Sequence, residues 1–87
     1  MIFVNVGFGN LVQVSKIISI LNPDSAPIKR LIQESRDAGI LLDATCGRRT
    51  RSVVVSESDH IILSAIQSET LYARMQGKEA NDAEEAE

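Results

Sequence analysis

A single cysteine, Cys46, and a single histidine, His60, are all that this 87-residue chain offers for cross-linking. Neither an internal disulfide nor a structural zinc site can therefore hold it together. A chain of this length allows one domain, and such a domain buries only about two-thirds of the surface its unfolded chain exposes. Hydrophobic residues make up 44% of the sequence, yet the aromatics among them are only Phe3, Phe8 and Tyr72. The core must then be thin and built from Ile, Leu and Val. Association with further copies is the remaining common means of stabilising such a domain, and no metal or cofactor is expected.

Local patterns predict the elements. Residues 2–6, β-branched and aromatic, end at Gly7-Phe8-Gly9-Asn10 and read as a strand followed by a tight turn. Apolar runs over 11–14 and 17–21 add two more strands, giving an N-terminal β-meander. A helix is expected to start near Ser25, with Pro27 in its first turn where the missing N–H is tolerated. Ile28, Leu31, Ile32, Ser35 and Ala38 form its apolar stripe at i, i+3, i+4 and i+7 spacing, and Gly39 suits its left-handed C-terminal position. Residues 40–45 and 51–56 read as antiparallel partners joined by 46–50, which makes a hairpin tipped with arginines. A further strand over 60–65 has an apolar middle that suggests burial on both faces. A short helix over 68–76, with Leu71 and Met75 on one face, closes the domain. The expected fold is α+β over residues 1–77: an N-terminal β-meander, a helix, a C-terminal antiparallel β-meander and a short helix. No internal repeat is visible.

Residues 78–87 carry one lysine against five acids and no apolar residue but alanine, the composition of a disordered tail. The whole chain has a formal charge of -3, so residues 1–77 without that tail are net +1. Within them, residues 16–51 hold seven basic groups and four acids. The middle is basic, the tail acidic, and the split suggests that the tail competes with any anionic partner for the basic surface. The N-terminus lacks the basic region of a signal peptide, and no apolar run approaches the ~18 residues of a membrane span. These features lead us to expect a cytoplasmic protein.

Enzymatic chemistry finds little support. A nucleophilic dyad would need Cys46 and His60 hydrogen-bonded, with a third group to orient the base, and nothing in the sequence suggests it. His60 reads as a strand-start residue with a satisfied or solvated ring, Cys46 as a small apolar filler, and Asp43 and Asp59 as local hydrogen-bond acceptors. Gly7-Phe8-Gly9-Asn10 is not a dinucleotide loop, because Val12 stands where the third glycine belongs and a strand follows instead of a helix. It reads as a hairpin or bulge turn.

The informative cluster is Gly47-Arg48-Arg49-Thr50-Arg51. Guanidinium groups stay charged at any physiological pH, and their planar fork matches phosphate oxygens in bidentate fashion. Each phosphate contact displaces condensed counterions, so a few arginines give modest, steeply salt-dependent affinity. An oligomer repeating the same turn would multiply it. The same arginines could instead pair with acids of a neighbouring subunit in a non-enzymatic assembly. An RNA-binding role ranks below both, since few aromatics are present to stack unpaired bases. Lys29 and Arg36 read as a solvated helix face, and Arg30 with Glu34 as an ordinary i, i+4 pair.

Five blocks of the sequence, residues 3–10, 25–30, 43–45, 47–51 and 58–65, resemble in order and spacing the signature blocks of the RemA-like family. The resemblance spans roughly residues 2 to 70. It implies a small α/β subunit that assembles into rings, and a DNA-binding transcriptional regulator associated with extracellular-matrix and biofilm genes. It also implies that Arg48 and Arg49 occupy the positions of the family's DNA-contacting arginine pair, beside which Arg51 adds a third charge. Lys16 matches another basic position used for binding, where relatives carry arginine; lysine keeps the charge but loses the fork. Cys46 stands where an aromatic residue is expected before Gly47. The partners so implied are double-stranded DNA and further copies of the chain.

Overall fold

The structure, a computed structural model, describes residues 2–77; the predicted acidic tail lies outside them. Strands β1 (Phe3–Asn5) and β2 (Leu11–Gln13) pair as an antiparallel hairpin. A 3-10 turn over Val14–Lys16 leads into β3 (Ile17–Leu21), and helix α1 (Ala26–Asp37) leads into β4 (Leu41–Asp43). Strands β5 (Ser52–Ser56) and β6 (Ile61–Ser64) and helix α2 (Ser68–Met75) follow. The elements form an α+β domain with a two-stranded sheet β1-β2 and a four-stranded sheet in the order β3-β5-β6-β4.

Two predicted pairings are corrected. The N-terminal meander does not form: the turn at Val14–Lys16 takes β3 away from β2 and lays it antiparallel on β5. The hairpin tipped with arginines does not form either, because β6 lies between β4 and β5, parallel to the first and antiparallel to the second. The C-terminal sheet is accordingly mixed. The reason is local. Residues 57–59 close β5 on β6 as a tight hairpin, with Asp59 at φ 69 and Ser56 N–H bonded to the His60 carbonyl at 3.0 Å. Such a three-residue loop, ending in a left-handed residue, is a favoured connection. With that edge of β6 occupied by β5, β4 takes the other one, and residues 44–51 must cross the end of β6.

The central strands β5 and β6 are buried on both faces, as the apolar middle of residues 60–65 predicts for β6. Val53, Ile61 and Leu63 pack with Ile28, Leu31 and Ile32 of α1. Val54 and Ile62 point the other way, toward Val4 and Val6 of the hairpin and Leu71 of α2. The period-2 alternation of side chains makes this three-layer arrangement possible from strands of only four or five residues. A bulge between Ile17 and Ser19 interrupts the β3 register.

Helix α1 obeys its sequence signals. Ser25 holds the extended N-cap conformation, although its side chain makes no capping hydrogen bond, and Pro27 sits in the first turn. At the other end Gly39 adopts φ 77, with Gly39 N–H bonded to the Arg36 carbonyl and Ile40 N–H to the Ser35 carbonyl. Those two bonds are the Schellman pattern, which satisfies carbonyls that the helix leaves open. Ser35 is buried within the stripe, whereas Ala38 is exposed at the C-cap. Arg30 and Glu34 form no ion pair among the described residues; Gln33 bonds to Asp37 on the neighbouring positions instead.

Candidate nucleic-acid interface

The arginine segment is anchored before it is displayed. Ala44 N–H donates to the Leu63 carbonyl at 2.9 Å, and Arg51 N–H donates to the Ser64 carbonyl at 2.8 Å, so residues 44–51 arch over the end of β6 with both feet bonded to it. Asp43 tightens the first foot: its Oδ1 accepts from Thr45 Oγ1 at 2.6 Å and from Thr45 N–H at 2.9 Å. Those hydrogen bonds, the hydroxyl's first, hold the Asp43 carboxyl below the usual carboxylate range, and the Arg36 charge adds in the same direction. The local-acceptor reading of Asp43 is correct.

A tight turn follows. Arg48 N–H bonds to the Thr45 carbonyl at 3.0 Å across Cys46 and Gly47, which have φ of 52 and 80. Two central residues of positive φ are the mark of a type I′ turn. Cys46 is exposed there, so its reading as an apolar filler is corrected. The turn residue must follow the backbone, and the backbone here faces solvent.

A second turn of the same kind lies at the tip of the β1-β2 hairpin, where the predicted hairpin turn forms. Asn10 N–H bonds to the Gly7 carbonyl at 3.0 Å across Phe8 and Gly9, with φ of 54 and 78. A left-handed conformation costs an L-residue such as Phe8 roughly 1–2 kcal/mol. The two turns meet: the Arg48 guanidinium lies over the Phe8 ring, 5.8 Å from its centroid. Sequence reading missed Phe8 as part of the site. The available signal was a bulky aromatic at a turn position that Asn, Asp or Gly normally fills.

Arg48, Arg49 and Arg51 are all exposed. Arg49 and Arg51 line one polar cleft of about 290 Å³ with Asn22, Asp24, Ser68 and Glu69. None of the three arginines forms a salt bridge among the described residues. Arg51 leads directly into buried Ser52, whose hydroxyl donates to the Ile66 carbonyl at 2.7 Å.

Lys16 is placed elsewhere. It lies beside Glu57 at the far end of β5, separated from Arg51 by about 20 Å of extended chain. Its Nζ donates to Glu57 Oε1 at 2.8 Å, an exposed pair that raises the lysine above its ordinary value, the hydrogen bond first and the charge second. One chain therefore carries Arg48, Arg49 and Arg51 on the same arch, with Arg49 and Arg51 on a shared cleft and Arg48 over Phe8, and holds Lys16 apart from them. His60 is also remote from Cys46, at the opposite end of β6, with Nδ1 at 2.9 Å from Ser58 Oγ. The satisfied-ring reading of His60 is correct, and no Cys46–His60 dyad forms. Among the described residues no group of three or more potential ligands could hold a metal ion, and no helix is long and apolar enough to cross a membrane.

The sequence matches the RemA-like family, described as extracellular matrix regulatory protein A-like, over residues 3–75. A protein of Alkaliphilus metalliredigens is 59% identical over 83 residues, covering 95% of this chain and 89% of the relative. One of Desulfitobacterium hafniense is 58% identical over 82 residues, covering 94% and 90%, and one of Acetivibrio thermocellus is 57% identical over 81 residues, covering 93% and 87%. All three relatives carry the name "Putative regulatory protein". A match that runs from the first strand to the end of the last helix, with relatives more than half identical along most of their length, makes this chain a member of the RemA-like family.

Proposed function

We propose that this chain is a cytoplasmic, non-enzymatic transcriptional regulator that binds double-stranded DNA as a ring-shaped homo-oligomer. The regulatory role is carried over from the family and its named members, and the extracellular-matrix association from the family's description; biofilm genes are what the resemblance of the sequence blocks implies. The observation that carries the DNA-binding reading is the arginine arch: Arg48, Arg49 and Arg51 are exposed, close in sequence, fixed at both feet, and unpaired with acids among the described residues.

Mechanistically, each arch grips phosphate oxygens, and release of condensed counterions drives the contact. Backbone contacts alone carry no sequence information, so specificity comes from DNA that curves easily around the oligomer. Lys16, once freed from Glu57 by competition with phosphate, supplies a further contact, reached from a neighbouring subunit or another stretch of duplex.

Ring formation has its own support. Both edge strands of the four-stranded sheet present an exposed apolar side chain, Ile18 on β3 and Leu42 on β4, at 63% and 51% exposure. Two different surfaces on opposite edges suit a head-to-tail contact, which closes into a ring when the rotation allows.

The test is a titration of duplex DNA with the purified protein across a salt series, beside its mass in solution, for the wild type and for Arg48→Ala with Arg49→Ala. The expected result is a multi-subunit wild type whose affinity falls steeply with salt, and a variant of unchanged mass that has lost binding. Dissociation of the variant would instead assign the arginines to subunit contacts, and no wild-type binding at low salt would end the DNA reading.

A further inference from the structure

We propose that Phe8 is a positioning residue for nucleic-acid contact, and that its ring holds the Arg48 guanidinium in the orientation from which it meets phosphate. The inference rests on the DNA-binding reading of the arginine arch.

The first argument is the place that Phe8 occupies. It is the first central residue of a type I′ turn, at φ 54, where Asn, Asp or Gly is favoured. The turn itself would be better served by one of those residues than by an aromatic. Phe8 belongs to neither core cluster, and its ring is half-buried, whereas the other two aromatics, Phe3 and Tyr72, are exposed. A bulky residue held in an unfavourable backbone conformation outside the core points to a role other than folding.

The second argument is what the ring touches. Arg48 comes from the other type I′ turn, forty residues further along the chain, and its guanidinium carbon lies 5.8 Å from the Phe8 centroid. That distance is within cation–π range. A ring engages a guanidinium through its charge and its flat face, which leaves the in-plane N–H donors free for phosphate oxygens. An exposed arginine otherwise loses rotamer freedom when it binds, and a side chain already held in place loses less. The N-terminal hairpin is thereby a part of the interface, although it carries no basic residue of its own among 2–13.

The hypothesis predicts opposite effects on folding and on binding. Phe8→Asn places a favoured residue in the turn, so the thermal midpoint should hold or rise, while DNA affinity falls about two- to fivefold for each arginine engaged. Phe8→Tyr keeps the ring face and should retain wild-type affinity. The experiment measures DNA affinity by anisotropy and thermal unfolding for the wild type, Phe8→Asn, Phe8→Tyr, Arg48→Ala and the double variant of Phe8→Asn with Arg48→Ala. The expected pattern is that Phe8→Asn weakens the wild type but adds nothing once Arg48 is gone. If Arg48→Ala left affinity unchanged, the DNA-binding reading of this arginine would fall and the inference with it. If Arg48→Ala weakened binding while Phe8→Asn did not, the positioning role alone would be overturned. An equal loss from Phe8→Asn with and without Arg48 would also overturn it, because the ring would then be acting on its own.

Discussion

Ser64 joins the arginine arch to the N-terminal hairpin: its carbonyl accepts from Arg51 N–H at 2.8 Å, and its fully buried hydroxyl donates to the Val6 carbonyl at 2.7 Å. The same hydroxyl accepts from Ile66 N–H at 3.1 Å. One serine thus ties together β6, the start of β5, the hairpin and the lead into α2.

Ser64→Ala is expected to lower stability by about 1–3 kcal/mol, since the Val6 carbonyl and the Ile66 N–H both lose their buried partner. Denaturant unfolding measures this, and native-state hydrogen exchange should show the Ile66 amide opening faster. A variant as stable as the wild type would mean that water or a local shift replaces both bonds.

Asp43 makes stability depend on acid. Its carboxyl is held below its ordinary range in the folded chain, so its contribution is fully present above the unfolded value near 3.8 and is lost as pH falls through the lower, folded one. Asp43→Asn removes this titration. Between about pH 5 and pH 2 the variant should therefore lose less stability than the wild type, while being less stable at neutral pH. Parallel acid-unfolding curves for the two proteins would contradict the assignment.

The Lys16–Glu57 pair is exposed on both sides, so it contributes little to folding and Glu57→Gln should barely move the thermal midpoint. Its effect belongs to binding. Glu57→Gln frees Lys16 and should strengthen DNA binding, whereas Lys16→Ala should weaken it and reduce the slope of log affinity against log salt by about 0.9 for each phosphate no longer neutralised. Salt titrations with identical slopes for Lys16→Ala and wild type would remove Lys16 from the interface.

Edge contacts between copies should be sensitive to charge. Ile18→Glu or Leu42→Glu is expected to lower the mass in solution toward the 9.5 kDa of a single chain, with the circular-dichroism spectrum retained. Wild-type mass in both variants would place the subunit contact on another surface.

The sequence by itself determined whatever depends on near neighbours in the chain. Ser25, Pro27 and Gly39 bound α1, because capping and left-handed backbone are decided by a residue and the few beside it. Gly7 through Asn10 announced a turn, residues 61–64 announced a doubly buried strand, and residues 47–51 announced the basic segment. Only the tertiary structure decided which strands meet. Alternation of apolar residues tells which face a side chain takes but not which strand lies alongside. The parallel pairing of β4 with β6 therefore left no trace in residues 40–56, and neither did the departure of β3 from the hairpin. The same holds for the site. The charge of Arg48 was plain in the chain, but the ring beneath it comes from a turn forty residues earlier, and the Glu57 partner of Lys16 from forty-one residues later. Contacts at such separation follow from how the layers stack on one another, and local sequence carries no record of that.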